Sequence, residues 1–347
     1  MKFFVKILKP KFLLSGLLIL LIISCHKESQ VTDRKLTIVF YNTENLFDTR
    51  NEPGKNDGEF TPEGSKKWTT ERYQKKIRDI ARVLSSVDST DLPEIIGMCE
   101  IENDKVLDDL TRTGFLKRGH YRIVHYESPD YRGIDNALLY RPDEFSVITS
   151  SPIRVSFKND PGFVTRDILY VKGKVPDGEV LNIFVNHWPS RIGGDKETEP
   201  ERIGVAAILR KKVDSLVVAD KDPEIIILGD MNDEPVNISL VNTLGAKDPQ
   251  TDPQAFLQNL MFPLKKQGLG SYNYQNRWNM LDNMIVSRNL LDDNGFRCVE
   301  KQGHIFHQAW MEFKNRNGSM TPNRTYGGNN YYGGVSDHFP VYFTLEL

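Results

Sequence analysis

IIILGDMNDEP, residues 225–235, is the stretch that decides the fold. Four branched apolar residues in a row are too few for a buried helix and suit a strand covered on both faces. Gly229 closes the run. Asp230 and Asn232 follow it, at the carboxyl end of a strand, where α/β folds place their sites. Runs of the same kind recur at LTIVFY (36–41), EIIGMC (94–99), YRIVHY (121–126), NALLY (136–140), DILYVKG (167–173), VLNIFVN (180–186), LDNMIVS (281–287) and PVYFTLEL (340–347). Between them, Ile77, Ile80, Ala81, Leu84 and Val87 share one face of a helix over 71–87, with Thr70 as its N-cap. Ile203, Ala206, Ala207, Val213, Leu216 and Val217 do the same over 201–217, and a weaker helix spans 104–113, stopped by Gly114. Many short strands with a few helices predict one α/β domain, sheets inside and helices outside.

The composition agrees with this reading and excludes others. Of 347 residues, 39% are hydrophobic and 27% charged, which is enough for a core and too balanced for a disordered chain. A net charge of −2 excludes a strongly basic nucleic-acid clamp, and three cysteines exclude a disulfide scaffold. Cys99 and Cys298 read as buried thiols, with a disulfide between them as the alternative. No proline- or glycine-rich linker divides the chain. Two polar loops stand out, 49–67 after the first strand and 324–335 before the last.

The first 24 residues are a different object. Lys2, Lys6, Lys9 and Lys11 precede the apolar run FLLSGLLILLII (12–23), which has the length of a signal peptide. The run ends in Ile22-Ile23-Ser24-Cys25, which resembles the lipobox of bacterial lipoproteins and implies lipidation of Cys25. A plain signal peptide or an uncleaved anchor are the alternatives. The expected organisation is a signal peptide over 1–24, a polar tether over 25–34 and a single domain over 35–347. Localisation is then the cell envelope, with the membrane as a partner through Cys25.

The polar residues that matter lie at strand ends: Asn42 and Glu44 in FYNTENLFD, Glu100 in CEIEN, His187 in VNHWPSR, Asp230 and Asn232, Asp282 in LDNMIVS, Asp337 and His338 in SDHFPV. Singly each is ordinary, a turn residue, a surface acid or a packed histidine. As a set they are what metal-assisted phosphodiester hydrolysis requires. Hard oxygen ligands at Asn42, Glu100 and Asp337 suit Mg²⁺ or Mn²⁺. Two histidines can donate to phosphate oxygens, each fixed by a neighbouring acid. Zinc-spaced His/Cys clusters, HExxH, Walker A, GxGxxG and GxSxG are absent from the sequence.

The motifs YNTEN, CEIEN, NHW, GDMND, LDNMIVS and SDHFPV, in this order, resemble those of the endonuclease/exonuclease/phosphatase superfamily over about 35–347. The resemblance implies a DNase I-like, four-layer α/β-sandwich with two mostly antiparallel central sheets flanked by helices. It implies Glu100 as principal metal ligand with Asn42 and Asp337, and His338 paired with Asp282 at the scissile phosphate. Asp230 and Asn232 would position the nucleophile, and His187 would act on the leaving oxygen. A metal role for Glu44 is left open, and Asp135 is the candidate partner of His187. Arg191, four residues after His187, suits a phosphate clamp. Trp188, Tyr326, Tyr331 and Tyr332 are candidates for stacking on substrate. The expectation is a monomeric, extracytoplasmic nuclease acting on DNA or RNA. The alternatives are a phosphoesterase on lipid headgroups or small phosphorylated molecules and a non-catalytic binding lipoprotein.

Overall fold

The computed structural model describes residues 1–2, 34–88, 90–292 and 295–346. The chain divides into two units, Met1–Thr32 and Asp33–Leu347. Only Met1 and Lys2 of the first are described, so the apolar leader, Cys25 and nearly all of the tether lie outside the described residues. No helix among those described is long and apolar enough to cross a membrane.

The second unit is built on two mixed sheets. In the first, β1 (Lys35–Leu46) runs parallel to β2 (Ile95–Ile101), and β4 (Asp135–Tyr140) and then β3 (Arg122–His125) follow antiparallel beyond β2. The final strand Val341–Glu346 pairs antiparallel with the other side of β1, and His304–Ile305 closes that edge, giving six strands. In the second sheet β5 (Ser146–Ile153), β6 (Ile168–Lys174), β7 (Val180–His187) and β8 (Glu224–Asp230) lie in order. The strand Asp282–Ser287 continues it beside β8, then Leu257–Asn259 and Ala246–Lys247. The pair β7–β8 is parallel, so each sheet is antiparallel apart from one central parallel pair and the short outer pair 246–247 with 257–259.

Period-two alternation builds the layers. Leu36, Ile38 and Phe40 of β1 face Ile183, Val185, Ile226 and Leu228 of the other sheet in the central core. Val39 and Tyr41 point the opposite way, onto α1 (Thr70–Leu84) and α2 (Asp104–Thr111). Ile225 and Ile227 meet α3 (Asp195–Ala219) through Val205, Leu209 and Val213. The result is the helix–sheet–sheet–helix sandwich. The sheets approach closely at Gly97, where a Cβ would stand 2.1 Å from Leu228 Cδ1.

Some departures from expectation have clear physical reasons. Thr69, not Thr70, caps α1, its side chain accepting the Arg72 N–H. Helix α3 starts six residues before residue 201, because buried Arg202 reaches back to the Asp195 carbonyl and carboxylate and to Thr198 Oγ1, fastening the turn ahead of Pro200. Strand β5 carries no apolar pattern; it is an exposed edge, visible only through its pairing with β6. Cys99 and Cys298 are buried free thiols.

Candidate active site

Two irregularities side by side aim the first site residues. The β1–β2 pairing shifts register between Asn42 and Leu46, and the β2–β4 pairing shifts between Cys99 and Ile101. Glu100 is the extra residue of the second bulge, with φ +59°, so its side chain leaves the sheet. Its Oε2 accepts the Asn45 N–H at 2.8 Å, and its Oε1 lies 3.4 Å from Asn42 Nδ2. That Nδ2 also donates to Asp230 Oδ2 at 3.0 Å, while Asn42 Oδ1 accepts the Glu44 N–H. Asn42 is thus set as a donor that holds two carboxylates, not with its oxygen toward them.

Register brings the second sheet's contribution together: Asp230 is the partner of His187 on one side and of Asp282 on the other. Gly229 permits the crowding, since a Cβ there would lie 2.3 Å from the Asn186 carbonyl. His338 Nδ1 stands 2.7 Å from Asp282 Oδ2, which also accepts the Ser271 hydroxyl. Nε2 of His338 and Nε2 of His187 each lie 3.8 Å from the same Asp230 Oδ2, and His187 Nε2 lies 3.8 Å from Glu100 Oε1. Asn232 takes φ +48°; its N–H donates to Asp230 Oδ1 and its amide to the Trp188 carbonyl.

Apart from half-buried Glu100 these groups are buried, and burial together with neighbouring charges sets their protonation. Burial disfavours the charged ring of His338, but Asp282, Asp230 and Asp337 outweigh it and raise the pKa to about 10. His187 goes the other way: burial first, then the Arg166 and Arg132 charges and His338, push it well below the ordinary value. Asp230 rises to about 6 through burial, against the pull of His338.

A second group of residues braces the loop before the last strand. Glu44 accepts the N–H groups of Thr325 and Tyr326 at 2.7 and 3.0 Å. Burial, then Asp337, raises its pKa to about 7. Lys76, on the buried face of α1, donates to the Glu44 carbonyl, Thr325 Oγ1 and the Val335 carbonyl at 3.0, 2.5 and 2.6 Å. Arg324 Nη2 lies 3.3 Å from Asp337 Oδ2. Ser336 Oγ donates to the Asn42 carbonyl and accepts the His338 N–H. Glu44 therefore secures the loop's backbone, and its carboxylate is spent there.

Several expectations land elsewhere. Arg191 lines the cleft, but its Nε donates to the Asn232 carbonyl at 2.6 Å and Nη2 reaches Asp233 and Asn237. Asp135 does not serve His187: it faces His125 and accepts the Ser128 N–H. Among the described residues the carboxylates within 4 Å of His187 are Glu100 and Asp230. Trp188 is fully buried, and Tyr326 packs among Phe60, Trp68 and Tyr331, so neither offers a free face. Tyr332 is exposed. Sequence reasoning missed Arg166, whose Nη1 meets Asp130 at 3.1 Å and Nη2 the Trp188 carbonyl at 2.6 Å, together with Arg132 and Tyr272, which lies against the His338 ring. Lys76 had a signal, a lysine at the helical spacing of Tyr73, Ile77 and Ile80.

The cleft that collects these residues has a volume of about 880 Å³. Its floor presents the Glu100, Asp230 and Asp337 carboxylates, and Asp282 Oδ1 is buried without a hydrogen-bond partner. Ligand atoms of Asp230, Asp282 and His338 lie within 4.8 Å of one another. Oxygen donors carrying this much negative charge fit a hard divalent cation.

Residues 37–347 match the model of the Endonuclease/Exonuclease/phosphatase family. No curated protein sequence matches the chain. An endonuclease/exonuclease/phosphatase family protein from Bacteroides thetaiotaomicron superposes with a TM-score of 0.55 at 17% identity, covering 91% of this chain and 98% of that one. A mannosyl-6-phosphatase of the same organism gives 0.55 at 17%, over 89% and 99%. D. rerio TDP2 complexed with single-strand DNA product gives 0.55 at 16%, over 91% and 100%. At these identities the likeness establishes the shared sandwich.

Proposed function

Because the chain belongs to the endonuclease/exonuclease/phosphatase family, a family of phosphoester hydrolases, we propose that it is a divalent-metal-dependent phosphodiesterase that cuts nucleic acid at the cell envelope. The observation that carries this reading is the convergence of two imidazoles on one carboxylate oxygen, each 3.8 Å from Asp230 Oδ2. The two rings are driven to opposite charge states, the arrangement that separates donor from acceptor in acid–base chemistry.

Each group has a defined task in such a reaction. A phosphate seated against His338 Nε2 meets a cationic donor whose other nitrogen is held by Asp282, so the ring cannot swing. Asp230, poised near neutrality, can take a proton from an attacking water. His187, kept neutral, can exchange a proton at Nε2 with the group on the opposite side. Asn42 and the Asn232 backbone N–H hold the Asp230 carboxylate in place. A divalent cation held by Glu100 with Asp230 or Asp337 would neutralise phosphate charge.

The preference for a polymer rests on the rim. Tyr131, Tyr274 and Ile192 line the cleft and are 58%, 56% and 85% exposed, flat or apolar faces on which bases can stack. One observation favours a second reading, a small phosphorylated substrate. Arg166, Arg191 and Arg324 are each paired with a carboxylate, so little free positive charge is left to track a long backbone. Lipidation at Cys25 would set either activity at the membrane surface. The test is full-length protein with Mg²⁺ or Mn²⁺ against plasmid DNA, single-stranded DNA, RNA, bis-p-nitrophenyl phosphate and mannose 6-phosphate. Diester cleavage lost with chelator and in His338→Ala supports the proposal. Turnover of the monoester alone supports the second reading, and no turnover of any overturns both.

A further inference from the structure

Away from the imidazole pair, three ligating side chains converge where β3 ends and β4 begins. We propose that His125, Glu127 and Asp135 form a second divalent-metal site, of the zinc class, that fastens the intervening loop. One ligand atom from each lies within 4.8 Å of the others.

The geometry is that of a site with its centre left out. His125 Nε2 and Asp135 Oδ2 stand 3.3 Å apart, and both are buried, Asp135 completely. The two are within ion-pair range, yet neither atom has a hydrogen-bond partner. Leaving two buried polar atoms unsatisfied is costly and rare. With Nε2 deprotonated, a cation between the ring nitrogen and the carboxylate oxygen would satisfy both. Bonds of 2.0–2.1 Å in a tetrahedral shell put neighbouring ligand atoms about 3.4 Å apart, close to the separation seen.

The outer ends of both groups are fixed. His125 Nδ1 lies 2.8 Å from Asp104 Oδ1, at the first turn of α2, the carboxylate–histidine arrangement that sets the tautomer and leaves Nε2 free for a metal. Asp135 Oδ1 accepts the Ser128 N–H at 2.8 Å, which leaves Oδ2 as its free oxygen. Glu127 is exposed and has a 3.4 Å contact with Lys55, so it supplies the third ligand from the solvent side, where a cation would enter. One imidazole and two carboxylates leave a fourth position for water.

The loop between these ligands reaches the catalytic cleft. It carries Asp130, which holds Arg166 at 3.1 Å, and Tyr131 and Arg132 on the cleft wall. A metal clamping 125, 127 and 135 would fix that wall from behind, whatever the substrate.

The experiment uses the full-length chain, stripped with chelator and dialysed against zinc alone, with bound metal counted by elemental analysis and thermal melting followed. In the Glu100→Gln background one zinc equivalent should remain and raise the melting temperature. Adding His125→Ala or Asp135→Asn should abolish both effects. Glu127→Gln, at an exposed position, should weaken zinc at least tenfold, and Asp104→Ala should weaken it ~10–100-fold. The same zinc content and affinity in Glu127→Gln, or in a folded His125→Ala, would overturn the site.

Discussion

The pairing of His338 with Asp282 predicts a specific failure of additivity. Their 2.7 Å contact is a charge-assisted hydrogen bond in a buried setting, with Ser271 donating to the same Asp282 oxygen. Such a bond contributes about 1.5–3 kcal/mol, which converts to roughly 10–150-fold in rate if Asp282 acts only by orienting and charging the ring. Asp282→Asn should therefore cost ~10²-fold. His338→Ala removes the donor itself and should cost ~10³-fold or more. The double variant should be no slower than His338→Ala, since an orienting carboxylate is useless without its ring. Independent roles would instead multiply the losses to ~10⁵-fold. The assay is kcat on bis-p-nitrophenyl phosphate at saturating Mg²⁺ for both singles and the double, with melting curves showing that each is folded. Multiplicative losses would remove the pair from the mechanism.

Glu100→Gln keeps an oxygen for the Asn45 N–H but loses the anionic ligand, so metal-dependent turnover should vanish while the fold survives; unchanged affinity by calorimetric Mn²⁺ titration would contradict this. Lys76→Met strands the Glu44 carbonyl and two acceptors that bind the 324–335 loop to α1, and should cost about 3–5 kcal/mol in urea unfolding; a loss under ~1 kcal/mol would show the lysine to be dispensable. Burial raises the Glu94 pKa to about 7, against its bonds to the Thr37 N–H and Arg141. A raised carboxyl favours the fold fully at acid pH and loses that contribution as pH climbs through 7. Glu94→Gln should therefore gain on the native protein by on the order of 2 kcal/mol between pH 5 and 8, and a flat difference would exclude the shift. Cys25→Ser should release the protein from the membrane fraction, because acyl chains contribute ~0.8 kcal/mol per buried CH₂; a variant still pelleting with membranes after signal cleavage would refute lipid anchoring.

The layers were legible because apolar runs of strand length are hard to misread, and the second sheet's site residues were legible because each stands at one end of such a run. Asp230, His187 and Asp282 are register neighbours, so finding the strands nearly finds the cluster. What escaped the sequence had no periodic signature. Arg166 becomes a cleft residue only through its meeting with Asp130, 36 positions earlier in the chain. Arg191 looked free because the carbonyl and the acid that occupy it, at Asn232 and Asp233, lie some forty residues on. Asp135 opens β4, one residue before the expected run 136–140, but its outlet is toward His125, a matter of which face the β3–β4 pair turns.

Glu100 shows why a motif can be recognised before its geometry can be derived. Strict alternation along β2 would send it to a sheet face; the bulge turns it out at the strand's end instead. That turn carries strain, because Glu44, Asn45, Glu100 and Asn232 all sit at positive φ without being glycine. Three of the four are steadied by another member of the site. The Glu44 N–H is taken by Asn42, the Asn45 N–H by Glu100 and the Asn232 N–H by Asp230. The side chains suited to phosphate chemistry are thus also the ones that hold the strained backbone presenting them. Substitutions among them will mix loss of chemistry with relaxation of the bulges. A loss of turnover at Asn42 or Asp230 is therefore attributable to chemistry only where the Glu100 bulge is intact.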